Sequence, residues 1–415
     1  MSADDRQQLA NLRKQATSGD PEAAAQLGVW TLMGHRLPAD ETRGFDLLHS
    51  AASRGAVAAQ RVCATLCAGG IGTDRDWPTA VGWLIAAARQ GDRVAARQIG
   101  FMLDGPAEAQ PTRLSLLEFA ARSGDPTGQF LLAEVLRHAP YHWPDSAVAG
   151  HYRRAAAGGN PCARRRLSIL RTDDTRPAKP LSLVSPEWDT IADWLPVTPW
   201  DDKPATNDPS GWKVLKERPG IRCFRRLLSV ARCDYLMSVA TPFLQAAPVV
   251  DSGGQFITGA DYRTNRAMSF WATENDVVVQ SVSDCLAGAA GYPGDNAEVL
   301  SVLHYRPGET YTSHFDFCDP ELPGHAKEMT IRGQRRQTLL VYLNDDFEGG
   351  ETWFNALDWG FRGNPGDGLL FDNVTPEGAP DRDTVHCGKP PQSGEKWLLS
   401  QWIRDRSQRG IGPMG

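Results

Sequence analysis

Residues 298–317 read EVLSVLHYRPGETYTSHFDF. Glu298 to Tyr305 reads as a strand, Pro307-Gly308 as a turn, and Tyr311 to Phe317 as the returning strand. Side chains two apart on a strand leave the same face, so His314 and Asp316 converge on one point. His386, much further on, supplies a third ligand if the sheet folds back on itself. Two imidazoles and one carboxylate on one side of a ferrous ion leave its other side open for further ligands. An isolated His-x-Asp pair arises often by chance, and the surrounding sequence gives this one its weight.

Further strands follow. Arg336 to Asp345 is β-branched, apolar and aromatic, then come Gly349 to Phe354, Pro365 to Phe371, His386-Cys387-Gly388 and Glu395 to Trp402. Upstream, Pro219 to Phe224 reads as a turn and strand, Leu227 to Ala240 and Asp276 to Ala290 as helices, and Met268-Ser269-Phe270 as a strand. Some eight short strands of this kind make a jelly roll, a double-stranded β-helix with flanking helices, whose mouth suits a metal held by strand residues. Asp319 to Arg335 reads as a polar loop containing His325. Arg332, Arg335 and Arg336 read as a solvated charge cluster, and His304 as structural.

This half resembles the catalytic domain of prolyl 4-hydroxylases, within the Fe(II)/2-oxoglutarate dioxygenase superfamily, over about 216–406. The matching residues are Tyr305, Gly308, Tyr311, His314 and Asp316, the intact segment Gly349-Gly350-Glu351-Thr352, and His386 with Gly388. Lys396 stands at the family's lysine, and Arg263-Thr264-Asn265 stands for its Arg-Thr-Ser element. The resemblance implies Fe(II) on His314, Asp316 and His386, with O2 and 2-oxoglutarate as cosubstrates. It implies Lys396 as the cation for the distal carboxylate, with Tyr305 and Thr338 as hydroxyl donors. A buried ammonium without its anion is costly, so such a pocket favours a dicarboxylate. The implied reaction hydroxylates a prolyl residue of a protein or peptide while 2-oxoglutarate becomes succinate and carbon dioxide; ascorbate dependence stays open. Arg263 either touches substrate or braces a strand. Cys387, Pro390-Pro391 and Asp367 depart from the family's commoner residues and leave the acceptor open. A small molecule or a non-prolyl side chain is the alternative acceptor. A non-catalytic adaptor with a degenerate barrel is the alternative class.

The first part of the chain repeats a phrase: Gly19-Asp20-Pro21, Gly55-Ala56-Val57, Gly91-Asp92-Arg93, Gly124-Asp125-Pro126, Gly159-Asn160-Pro161. A period of about 35 residues means stacked helix pairs. Glycine ends one helix, Asp or Asn caps the next, and proline takes its first turn. The stretch from about 20 to 171 resembles Sel-one-like repeats, relatives of tetratricopeptide repeats. That implies an α-solenoid recruiting a protein partner, or one serving as a spacer or packing on the second domain. His35, His49, His138, His142 and His151 share no ligand spacing and read as surface or structural.

The expected division is a repeat array over 1–172, a Pro-rich linker over 173–215, the dioxygenase domain over 216–408 and a tail over 409–415, and a chain of 415 residues has room for it. Trp188, Trp194 and Trp200 suggest that the linker packs rather than floats. A net charge of −6 gives nucleic acid no electrostatic support. No apolar run approaches the roughly 20 residues of a membrane span, and the N-terminus lacks a signal peptide's apolar core, so a cytoplasmic location is expected. The eight cysteines form no CxxC pair; Cys63 and Cys67 read as buried thiols on one helix face.

Overall fold

The structure is a computed structural model. It describes residues 2–105, 107–138, 143–170, 181, 183–195, 211–250, 256–257 and 261–411. His142 and most of the Pro-rich stretch, Trp200 included, lie outside the described residues. Two compact units divide the chain: Met1–Trp200 with Trp271–Ser281 and Gly412–Gly415, and Asp201–Phe270 with Val282–Ile411.

In the first unit the repeat phrase becomes helix punctuation. Helix pairs run Pro21–Met33 and Glu41–Ser53, Val57–Gly69 and Trp77–Arg89, Arg93–Met102 and Gln110–Arg122, Pro126–His138 and Asp145–Ala157. Gly19, Gly55, Gly91, Gly124 and Gly159 all take positive φ, between 78° and 98°, a region open to glycine and strained for other residues. Asp20, Asp92 and Asn160 then accept hydrogen bonds from the first-turn N–H groups of the helices they open. A further helix, Ala3–Thr17, precedes the first repeat and opens with a Ser2–Asp5 capping box. Packing is close because small residues sit where helices cross. A Cβ on Gly44 would lie 2.8 Å from the Leu32 backbone nitrogen. Leu48, Ala51, Cys63 and Leu66 are fully buried beside that crossing.

Residues Trp271–Ser281 belong to the same unit. The Val277 N–H donates to Gln98 Oε1 at 3.1 Å, and Thr65 Oγ1 donates to the Asn275 carbonyl at 3.4 Å. Arg97 pairs with Asp125 at 2.9 Å and lies 3.6 Å from Asp276. Within the expected linker, the helix Trp188–Trp194 buries Ile191 completely.

The second unit is built on antiparallel sheets. The larger has eight strands, in edge-to-edge order Trp212–Lys216, Ile221–Phe224, Gly368–Asp372, Arg335–Tyr342, Lys396–Arg404, Ser301–Tyr305, Arg266–Ser269 and Gln245–Ala246. The smaller has four, in order Trp359–Phe361, Thr352–Phe354, His386–Gly388 and Tyr311–His314. Tyr305, Leu340, Phe371 and Leu398 from the first sheet share one core with Phe354 and Phe361 from the second. This is the expected two-sheet fold with flanking helices, among them Val230–Ala240 and Pro323–Arg332.

Three local expectations are corrected. The strand carrying His314 stops at that residue, and Asp316 lies in the bend beyond it. The expected polar loop contains a helix, Pro323–Arg332, with proline in its first turn and Gly333 at φ 78° ending it. The Arg cluster is not a solvated face. Arg335 is largely buried, pairs with Glu298 at 2.7 Å and stacks over Trp402 at 3.6 Å. Arg404, also on Glu298, is wholly buried. No helix of the described residues is long and apolar enough to cross a membrane.

Two glycines separate close packing from intrinsic helix propensity. Gly44→Ala places a methyl group against the Leu32 backbone and should cost about 1–3 kcal/mol. Gly82→Ala, inside the helix Trp77–Arg89 with nothing within 4 Å of the new methyl, should gain about 0.5–1 kcal/mol. Denaturant unfolding followed by circular dichroism reads both; equal effects would contradict the packing described.

Candidate metal centre

Antiparallel pairing assembles the site. His386 is the register partner of His314, and Phe354 pairs with His386 on its other side. Directly opposed residues bring their side chains together, and the two imidazole centroids are 4.4 Å apart. The bend after His314 returns Asp316, so that His314 Nε2 lies 3.6 Å from Asp316 Oδ1 and His386 Nε2 lies 3.5 Å from Oδ2. One donor atom from each residue lies within 4.8 Å of the others, the one such group among the described residues. These gaps are long for hydrogen bonds and suit three donors at about 2.1 Å around a divalent ion.

The ring nitrogens are set for that role. His314 Nδ1 lies 2.8 Å from the Thr312 carbonyl, and His386 Nδ1 lies 2.9 Å from the Thr384 carbonyl. A carbonyl only accepts, so each Nδ1 carries the hydrogen and each Nε2 presents its lone pair. Burial, reinforced by His386, brings His314 down to about 3 and keeps its ring neutral. Asp316 is held below the usual carboxylate range; burial opposes this, and His386, His314 and the Thr338 hydroxyl outweigh it. Tyr311 stacks on His314 at 3.6 Å between centroids and carries Arg263 on its ring at 4.3 Å. Arg263 also donates to Asn265 Oδ1 at 3.2 Å and to the Pro248 carbonyl at 2.7 Å.

A buried cation lies deeper in the same unit. Lys396 is the register partner of Tyr305, is wholly buried, and its Nζ has no hydrogen-bond partner among the described residues. That Nζ lies 5.0 Å from the Tyr305 ring centre and 5.4 Å from that of Tyr342. Burial brings Lys396 down to about 7, with Glu351 and Cys387 opposing. Tyr305 is pushed up by burial and stays protonated. Glycines make the room. A Cβ on Gly350, at φ 69°, would sit 2.9 Å from the Phe347 ring and 3.4 Å from Lys396 Cδ. A Cβ on Gly388 would lie 3.2 Å from the Tyr305 hydroxyl. Thr352, at the end of the Gly-Gly-Glu-Thr segment, bonds through its N–H and hydroxyl to the Tyr342 hydroxyl.

Thr338 lies at the metal group. Its hydroxyl donates to Asp316 Oδ2 at 2.8 Å and accepts from Asn373 Nδ2 at 2.9 Å. Asn373 was not marked by any spacing in the sequence. Neither was Gln334, whose carboxamide pairs with both the N–H and the carbonyl of Cys318, each at 2.7 Å, and closes the bend that carries Asp316. His304 bonds Glu395 at 3.1 Å and stacks on Trp397, away from the group, and His325 accepts from the Asp319 N–H. Asp367 anchors a turn through the Arg226 and Asn364 N–H groups and the Arg225 side chain. Cys387 is half-buried beside His386.

Residues 300–404 match the family described as the 2OG-Fe(II) oxygenase superfamily. Prolyl 4-hydroxylase 1 of Arabidopsis thaliana is 30% identical over 209 residues, covering 47% of this chain and 72% of that protein. Among solved structures, the 2OG complex of the viral collagen prolyl hydroxylase from Paramecium Bursaria Chlorella virus-1 is 26% identical, with a TM-score of 0.34. That match covers 44% of this chain and 94% of the viral one. A Sel1 repeat protein from Oxalobacter formigenes is 24% identical over 41% of this chain and 74% of its own, with a TM-score of 0.37.

Proposed function

The chain belongs to the 2OG-Fe(II) oxygenase superfamily, among its prolyl 4-hydroxylase-like members, and on that footing we propose that it hydroxylates a prolyl residue of a protein or peptide. In this reading His314, Asp316 and His386 hold Fe(II), while Lys396 and Tyr305 receive the distal carboxylate of 2-oxoglutarate. Members of the superfamily are dioxygenases that use Fe(II), 2-oxoglutarate and O2. The bound ion and its cosubstrates supply the oxidation: 2-oxoglutarate loses carbon dioxide to become succinate, one oxygen atom of O2 enters succinate, and the other enters the acceptor C–H bond.

The observation that carries the reading is the orphaned Lys396 Nζ. A wholly buried ammonium with no hydrogen-bond partner among the described residues is costly and calls for an anion. A carboxylate on a ligand meets that need, and the adjacent Tyr305 hydroxyl is a second donor. The protein's other contributions are positional. Two neutral imidazoles and one carboxylate leave a ferrous ion one net positive charge. Carbonyl-fixed tautomers hold the imidazoles in place, and Tyr305, Tyr342 and Phe347 exclude water around Lys396. Thr338 reaches the carboxylate of Asp316 and orients it.

The prolyl acceptor is favoured because the relatives matched over this half bear that name. The helical array is assigned the recruitment of the protein substrate, which its repeated helix pairs suit. A cytoplasmic, reducing location goes with this reading, since the described cysteines form no disulfide. No observation favours the non-catalytic adaptor.

Two outcomes test this. With Lys396 at about 7, cosubstrate binding above that pH must first restore its proton, so affinity falls as pH rises. The 2-oxoglutarate Kd, measured anaerobically with Mn(II), should rise by up to about tenfold per unit above pH 7. Lys396→Arg should flatten that slope, and Lys396→Ala should cost about 2–5 kcal/mol at pH 7. A Kd indifferent to both pH and substitution removes Lys396 from the pocket. Separately, the full chain with Fe(II), 2-oxoglutarate, O2 and a library of proline-containing peptides should add one oxygen to proline, read by mass spectrometry. Succinate formed with oxygen only on other residues would overturn the prolyl acceptor.

A further inference from the structure

We propose that Asn373 is a positioning residue of the metal centre, acting on Asp316 through the Thr338 hydroxyl; this rests on Asp316 being a metal ligand. Asn373, Thr338 and Asp316 form one buried line. Asn373 Nδ2 to Thr338 Oγ1 is 2.9 Å, and Thr338 Oγ1 to Asp316 Oδ2 is 2.8 Å. Asn373 and Thr338 are both wholly buried, so neither bond competes with water.

The direction of the line follows from counting hydrogens. An amide nitrogen only donates, so at the Asn373 contact the Thr338 hydroxyl must accept. Its single hydrogen is then left for one partner, and Asp316 Oδ2, 2.8 Å away, takes it. Turning the Asn373 amide around would present two acceptors to one hydroxyl hydrogen and break the line, so this orientation is the one that makes both bonds. The backbone of Asn373 is itself pinned. Its N–H donates to the Arg336 carbonyl at 2.8 Å, and its carbonyl accepts from the Asp381 N–H at 3.1 Å.

A packing role does not explain this residue. Asn373 Oδ1 is buried without a hydrogen-bond partner among the described residues, a cost that an apolar side chain of similar size would not carry. The carboxamide is retained where its N–H polarises and orients the one hydroxyl on the metal carboxylate. Thr338 and Asn373 lie on neighbouring strands of the larger sheet or at their ends, while His314 and His386 belong to the smaller sheet. The line therefore ties the bend that carries Asp316 to the rigid larger sheet.

The test is the Mn(II) dissociation constant of the full chain, followed by paramagnetic resonance without cosubstrate, together with the thermal midpoint of the metal-free protein. Asn373→Leu should weaken Mn(II) about tenfold or more, and Thr338→Val, nearly isosteric, by a similar factor. Thr338→Ser, which keeps the hydroxyl, should restore most of the affinity. In the Thr338→Val background, adding Asn373→Leu should change Mn(II) affinity no further, because the residue it acts through has gone. Wild-type Mn(II) affinity in Asn373→Leu, or a full additive loss in the double variant, overturns the proposal. So does a Thr338→Val variant that binds Mn(II) normally and loses only 2-oxoglutarate. His314→Ala serves as the reference: if it too binds Mn(II) normally, the metal reading itself has failed, whereas loss in His314→Ala with no change in Asn373→Leu rejects the relay alone.

Discussion

The register that places His386 opposite His314 is the constraint on which the second unit depends. A slip of one residue on either strand would turn one imidazole to the opposite face. The same ladder logic fixes the second pole of the site, since Lys396 lies opposite Tyr305 in the larger sheet. Both poles bury polar groups that are costly to hold in a dry interior. At the first pole, the Thr312 and Thr384 carbonyls, Thr338 and the three donors satisfy most of that need among themselves. At the second, no described residue offers Lys396 Nζ a hydrogen bond, and in the proposed function that deficit is met by an anion.

The two units meet their folding demands differently. In the helical unit each helix packs mainly on its sequence neighbours, so the order is largely local. In the sheet unit, Ile221–Phe224 pairs with Gly368–Asp372, and Arg266–Ser269 pairs with Ser301–Tyr305. The first of these pairings closes a loop through nearly the whole unit and cannot form before the later strands exist. His314 and Asp316 lie within the loop that this pairing closes, and the strands carrying His386 and Lys396 follow it.

What could be read in the sequence follows from the same distinction. The repeat glycines were legible because a helix end needs a left-handed residue and announces it locally. The donor residues were legible through their spacing and chemistry, and Lys396 through a family likeness. Strand alternation alone does not bring His314 and Asp316 together, however, since the strand ends at His314 and a bend closed by Gln334 returns the carboxylate. The helix Pro323–Arg332 was hidden by its Pro-Gly opening, which reads equally well as a turn. Arg335 looked solvated because its partner Glu298 is remote in the chain. Asn373 carries no local signal, because its importance lies in a hydroxyl on another strand.

In the proposed function, three side chains from two paired strands and one bend hold a single ferrous ion. Anaerobic titration of the full chain with Fe(II), read by calorimetry, tests it most directly. One ion per chain is expected, with binding lost in His314→Ala, Asp316→Ala and His386→Ala while circular dichroism stays unchanged. Retention of that ion with wild-type affinity in any of the three folded variants would contradict the account.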